Sequence, residues 1–187
     1  MTRDKTPQER LKEEQEHKEH VHHTKINAAA IADHILGNIH TMHVKLHQYH
    51  WYVKGPHFFS LHGKLKELYN VNEEWFDKIA ERLIASGHKP ASTTAELEEY
   101  SMLLEDPAHK YLEAEEMIEN VIEDFRSTRG LTIRAIHLAR EEGDDVLEDT
   151  LIAFKKYLYE NIWMLQAYLG KEALEDDDDF EVDDDEE

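Results

Sequence analysis

The sequence predicts an all-α protein: four long helices forming a bundle, with a short extra helix in the crossover between the second and third. Three observations carry this expectation. Apolar residues recur at three- and four-residue spacing over four stretches of helical length. Seven glycines and four prolines are few for 187 residues, and Glu, Leu, Lys and Ala are abundant. A long linker after Gly87 separates the second stretch from the third, whereas short turns join the others.

The chain divides into a polar segment (1–24), a bundle (25–171) and an acidic end (172–187). Residues 1–24 have no apolar stripe beyond Leu11 and Val21 and read as a mobile or weakly helical tail. His17, His20, His22 and His23 lie there, with Glu16/His20 and Glu19/His22 spaced to pair on a helix. Such pairs can hold a divalent ion; a solvated histidine-rich tail is the alternative. The basic residues of this segment are matched by acids, so it is not a DNA-binding arm.

The first long helix spans about 25–53, its apolar side running from Ile26 through Ile35, Leu36, Ile39, Met42 and Val44 to Leu46. His43, His47 and His50 share one of its faces. They read either as interface hydrogen-bonding residues or as an extended metal path; only His50 is given a ligand role. Gly55-Pro56 then reverses the chain. The second helix, 59–86, carries Leu61, Leu65, Leu68, Trp75, Phe76, Ile79, Leu83 and Ile84 and stops at Gly87. In the linker, Ser92, Thr93 or Thr94 can cap a short helix at 96–100. Asp106-Pro107 is expected to open the third helix, 106–143, and the fourth spans 144–169 before Gly170. Residues 176–187 contain ten acids and are expected to form a disordered tail.

The chemistry concentrates in His50, His62, Asp77 and Glu81. Asp77 and Glu81 are i and i+4, so both carboxylates point the same way. The turn between the first two helices lets His50 and His62 approach each other. His62 lies fifteen residues before Asp77, roughly 22 Å along a straight helix. One ion takes ligands at about 2.0–2.2 Å, so these groups of one chain cannot share it. Two copies of the helix packed antiparallel about a two-fold axis bring His62 of one beside Asp77 and Glu81 of the other, and the site is made twice. Two imidazoles and two carboxylates suit iron or zinc. Taken singly, each residue reads as an ordinary polar or solvated position; their joint occurrence beside YHW and GPHFF favours the metal site.

The stretches YHWYVKGPHFFSLHGKLKELY, FDKIAERLIASGHKP and EEGDDVLEDTLIAFKKYLYENIWMLQAYLG resemble the Dps family, the miniferritins, over roughly residues 25–171. The pattern H-x11-H-x14-D-x3-E holds without a gap. The resemblance implies a ferritin-like bundle whose long crossover joins the second and third helices. It implies a hollow homododecamer in which two histidines of one subunit and the Asp and Glu of its two-fold mate form a ferroxidase centre. The family oxidises ferrous iron there with hydrogen peroxide and stores ferric mineral, protecting the cell from oxidative stress. Trp51 matches a tryptophan that sits beside the iron centre and can pass an electron. Asp145 and Asp149, with Asp144 and Glu148 as neighbours, match acids of an iron-entry pore; their alternative is complementing a helix dipole. Many members carry an acid four residues after the second histidine. This chain has Lys66 there, which puts a fixed second metal in doubt.

Classical di-iron bundles carry Glu-x-x-His pairs on two bundle helices; here the pattern occurs only at Glu14/His17 and Glu19/His22, in the tail. No cysteine is present, which excludes thiolate sites and fits a reducing cytoplasm. Nothing reads as a signal peptide or a membrane span. The formal charge of −21 favours cations over nucleic acid, so no direct DNA binding is expected. A DNA-compacting protein and a non-catalytic metal-binding cage are the other two readings. The first needs clustered Lys and Arg; the second is distinguished by testing whether ferric iron forms.

Overall fold

The computed structural model describes residues 5–24 and 26–177, with side chains described for 5–16 and 26–177. Six α-helices form, and no strand occurs among the described residues. They are α1 (Pro7–Thr24), α2 (Ala28–Tyr52), α3 (Phe58–Ala85), α4 (Thr94–Tyr100), α5 (Ala114–Glu142) and α6 (Asp145–Tyr168). A 3-10 turn, Pro107–Tyr111, precedes α5. Helix α2 packs against α3, α4 and α5, α5 packs against α6, and α3 against α6, which closes the four-helix bundle.

Local chemistry sets the ends. Asn27 caps α2 by accepting from the Ala30 N–H at 2.8 Å. Thr93 and Glu96 cap α4 reciprocally. The α4 backbone then lies against Gly37, where a Cβ would stand 2.7 Å from the Leu97 carbonyl oxygen. Only glycine admits that approach, and it pins the crossover onto α2.

The third bundle helix begins later than the sequence suggests. Asp106 caps only the 3-10 turn, accepting from the Ala108 N–H at 2.7 Å. Leu112 is extended, and α5 starts after Glu113, whose N–H donates to Glu116 at 2.9 Å.

The core is aliphatic and aromatic, with Ile35, Leu36, Ile39, Leu46, Phe125, Phe154 and Leu158 all buried. Two neighbours on α2 exchange their expected places. Val44 is 44% exposed, whereas Lys45 is buried and pairs with Asp124 of α5 at 2.6 Å. Burial pushes the Asp124 carboxyl up, opposed by the Lys45 ammonium. Ile84, also expected on an apolar face, is exposed as well, as are Ile152 and Trp163 of α6.

The N-terminal segment takes the helical one of its two expected forms, and the C-terminal segment departs from its expected form. Residues 7–24 are helical, and Thr6 and Glu9 form the N-terminal capping box: the Thr6 N–H donates to Glu9 at 2.7 Å and the Glu9 N–H to Thr6 at 3.2 Å. The acidic segment does not begin as a free tail at 172. Asp177 forms a bidentate ion pair with Arg129, and the Glu175 carbonyl accepts from Arg126 at 2.7 Å and from Gln166 at 2.6 Å. Arg126, Arg129 and Gln166 are buried, so their donors need acceptors, and the chain end supplies them. Residues 178–187 lie outside the described residues.

Candidate metal centre

The turn that follows α2 brings its last residues against the start of α3. Gly55 adopts φ +106°, and the Phe58 N–H donates to its carbonyl at 3.1 Å. This reversal sets His50 and His62 face to face, ring centroids 3.7 Å apart and planes 20° from parallel. Nδ1 of His50 lies 2.8 Å from the His62 carbonyl oxygen, and Nδ1 of His62 lies 2.8 Å from the His50 carbonyl oxygen. A carbonyl only accepts, so each Nδ1 carries the proton, and each neutral ring keeps its lone pair on Nε2. Both rings are thereby fixed in tautomer and orientation by backbone partners, each with an Nε2 that could ligate a metal. Burial pushes the His50 pKa down; the hydrogen bond to the His62 carbonyl opposes this without offsetting it. The neutral form of His50 is therefore favoured.

Asp77 and Glu81 lie farther along α3, exposed, and neither has a hydrogen bond or ion pair among the described residues. Among the described residues of one chain, no three His, Asp or Glu side chains converge on a metal position. His62 near the start of α3 is thus well separated from Asp77 and Glu81 farther along it, and His50 faces His62 from the end of α2.

Around the histidines lies an aromatic cluster that the sequence only partly indicates. Trp51 is 67% exposed, with its ring 5.4 Å from His47. Tyr69 stacks on His47 at 3.9 Å and meets His50 edge-on at 5.5 Å. Lys66 is exposed, and its positive charge adds to the downward shift at His50. Trp75 packs within the chain against Phe154, ring centroids 5.2 Å apart.

The four acids near the start of α6 separate into two kinds. Asp144 caps the helix through the Leu147 N–H at 3.0 Å and pairs with Arg82 at 3.2 Å. Burial acts to raise its pKa, but the bonds from Leu147, Arg82 and Ser86 hold it below the usual carboxylate range. Glu148 pairs with Arg140 at 2.8 Å. Asp145 and Asp149 are exposed and make no such pair among the described residues. The side chains of His17, His20, His22 and His23 lie outside the described residues.

Comparison with known proteins agrees with this fold. The fold is that of a ferritin-like protein, and residues 29–174 match the family model described as a ferritin-like domain. Within that class the chain belongs to the Dps family. It is 38% identical over 150 residues to the DNA protection during starvation protein of Listeria innocua, covering 80% of this chain and 96% of that one. It is 42% identical over 129 residues to general stress protein 20U of Bacillus subtilis, covering 69% and 88%. The solved Dps of Listeria monocytogenes superposes with a TM-score of 0.78 at 36% identity, covering 81% and 98%. DpsB of Lactococcus lactis superposes with a TM-score of 0.85 at 30% identity, covering 90% and 96%.

Proposed function

We propose that this protein oxidises ferrous iron at sites shared between two chains and stores the ferric product inside a hollow twelve-subunit shell in the cytoplasm. The observation that carries the reading is the reciprocal His50–His62 clasp, which leaves two Nε2 atoms ready to ligate but no carboxylate of the same chain in reach. Asp77 and Glu81 of a second copy supply the missing half. The imidazoles bind ferrous iron in neutral form, and the carboxylates favour the ferric product by their charge. The oxidant is hydrogen peroxide: two ferrous ions each give one electron, two protons are taken up, the O–O bond breaks and two waters leave. Trp51, open to solvent beside His47, is placed to pass an electron. Exposed apolar side chains, among them Ile84, Ile152 and Trp163, support burial against other copies. Asp145 and Asp149, free of ion pairs among the described residues, are the acids of the four that remain available to draw cations toward a pore. Zinc is a competitor at the same ligands. Dps from Listeria innocua has a structure described as soaked with zinc.

The test is the appearance of ferric absorbance after ferrous iron and peroxide are added. His50→Ala with Asp77→Ala abolishes the rapid phase while the shell stays assembled. Wild-type rates in an assembled double variant contradict the site; the absence of ferric iron in wild type leaves a non-catalytic cage.

A further inference from the structure

We propose a second metal site, one per pair of chains, on the two-fold axis of the dimer: His43 and His47 of both copies, four imidazoles taking a borderline divalent ion such as zinc or cobalt(II). It rests on the antiparallel pairing of the proposed function.

That pairing fixes a register. If His62 of one chain meets Asp77 and Glu81 of the other, the axis crosses α3 midway between them, near residues 70–71. Tyr69 stands beside that point, and its ring marks which part of α2 lies there. It stacks on His47 at 3.9 Å and meets His43 edge-on at 6.0 Å. His43 and His47 therefore sit at the axis, while His50 lies a turn farther along α2 toward His62.

The two rings are built as a chelating pair. They are i and i+4 on α2, with centroids 4.5 Å apart. Nδ1 of His47 lies 2.8 Å from the His43 carbonyl oxygen, so it holds the proton and Nε2 is free to ligate. Both residues are half-buried in the single chain, leaving an open side for a partner. One chain brings no third ligand to them among the described residues. The two-fold doubles two imidazoles to four, the number that closes a tetrahedral structural site. This ligand set differs from that of the oxidation centre. Without carboxylate it disfavours hard ferric iron and suits zinc, cobalt(II) or nickel(II). The ion would act as a clamp on the dimer and not as a substrate.

The experiment is cobalt(II) titration of the assembled full-length protein, read by uptake and by the visible bands of tetrahedral cobalt. Wild type is compared with His43→Leu/His47→Leu, with His43→Gln/His47→Gln, and with Asp77→Ala/Glu81→Ala. The proposal predicts that each histidine-pair variant loses one ion per two chains, with its tetrahedral signature, and that the carboxylate variant keeps that ion. Should the leucine pair fail to assemble, the glutamine pair, which keeps size and hydrogen-bonding capacity, decides. Equal uptake and an unchanged spectrum in wild type and histidine-pair variant overturn the site, and loss of one ion per chain overturns its sharing across the axis. Failure of the oxidation centre is read separately, as full iron oxidation by the carboxylate variant.

Discussion

His50 and His62 each lie with Nδ1 2.8 Å from the other's carbonyl oxygen, so the last turn of α2 and the first turns of α3 orient each other's imidazole ring. The clasp uses backbone acceptors, which no substitution elsewhere removes. Its consequence for pH has a definite sign. Burial favours the neutral His50 ring, so its pKa lies below the ordinary value of about 6.5. Metal binding at the proposed site is therefore expected to persist as pH falls to that ordinary value and to be lost only below it. NMR titration of the metal-free protein is expected to give a His50 pKa under about 6.5; a value above 7 contradicts the burial argument.

A second prediction concerns the buried Lys45–Asp124 pair. Lys45→Met leaves a carboxylate without its cation inside the bundle and is expected to cost about 3–5 kcal/mol. Lys45→Met with Asp124→Leu removes both charges and recovers most of that loss. Thermal unfolding at fixed protein concentration measures both. A single variant as stable as wild type removes the pair from the account.

The third concerns the chain end. The Arg129 guanidinium holds the Asp177 carboxyl below its usual range. The contribution of this pair to stability is therefore complete above the ordinary carboxylate value of about 3.9 and is lost as pH falls through the lowered one. Amide exchange of residues 171–177 stays slow at about pH 5 and rises only in stronger acid. Arg129→Ala releases the segment at neutral pH. Fast exchange in wild type at neutral pH is the contrary result.

Nearly all of the bundle was legible in the sequence, because helical periodicity and glycine stops report local geometry. What periodicity cannot report is which of two adjacent residues turns inward: Val44 and Lys45 traded places because Asp124, seventy-nine positions away, gives the ammonium a buried partner. Docking of Asp177 was hidden for the same reason, since a run of acids reads as solvated until Arg129 is known to face it. The H-x11-H-x14-D-x3-E spacing singled out His50, His62, Asp77 and Glu81, and the helix rise showed that His62 stands far from the two carboxylates of its own chain. The Nδ1–carbonyl clasp left no trace in the spacing, because backbone oxygens carry no sequence signal.

A fourth prediction is that the protein does not bind DNA directly. In the proposed shell, twelve copies at −21 each would give about −250 formal charge, which repels a polyanion within the Debye length. The test uses about pH 7.5, a chelator and about 0.15 M salt, so that neither histidine protonation nor bridging ions intervene. Plasmid migrates unshifted at micromolar protein. A shift under those conditions overturns the claim; a shift only after deletion of 176–187 identifies the acidic end as the element that blocks binding.

The central claim is that each oxidation site is completed by a second chain, and co-assembly tests it most directly. His62→Ala subunits and Asp77→Ala subunits are each inactive alone. Dimers that contain one of each keep one intact pairing, His50 and His62 from the Asp77→Ala chain with Asp77 and Glu81 from the His62→Ala chain. Shells shown to be mixed are predicted to regain part of the wild-type rate of peroxide-dependent iron oxidation. No recovery in such shells contradicts the shared site and returns the chemistry to a single chain.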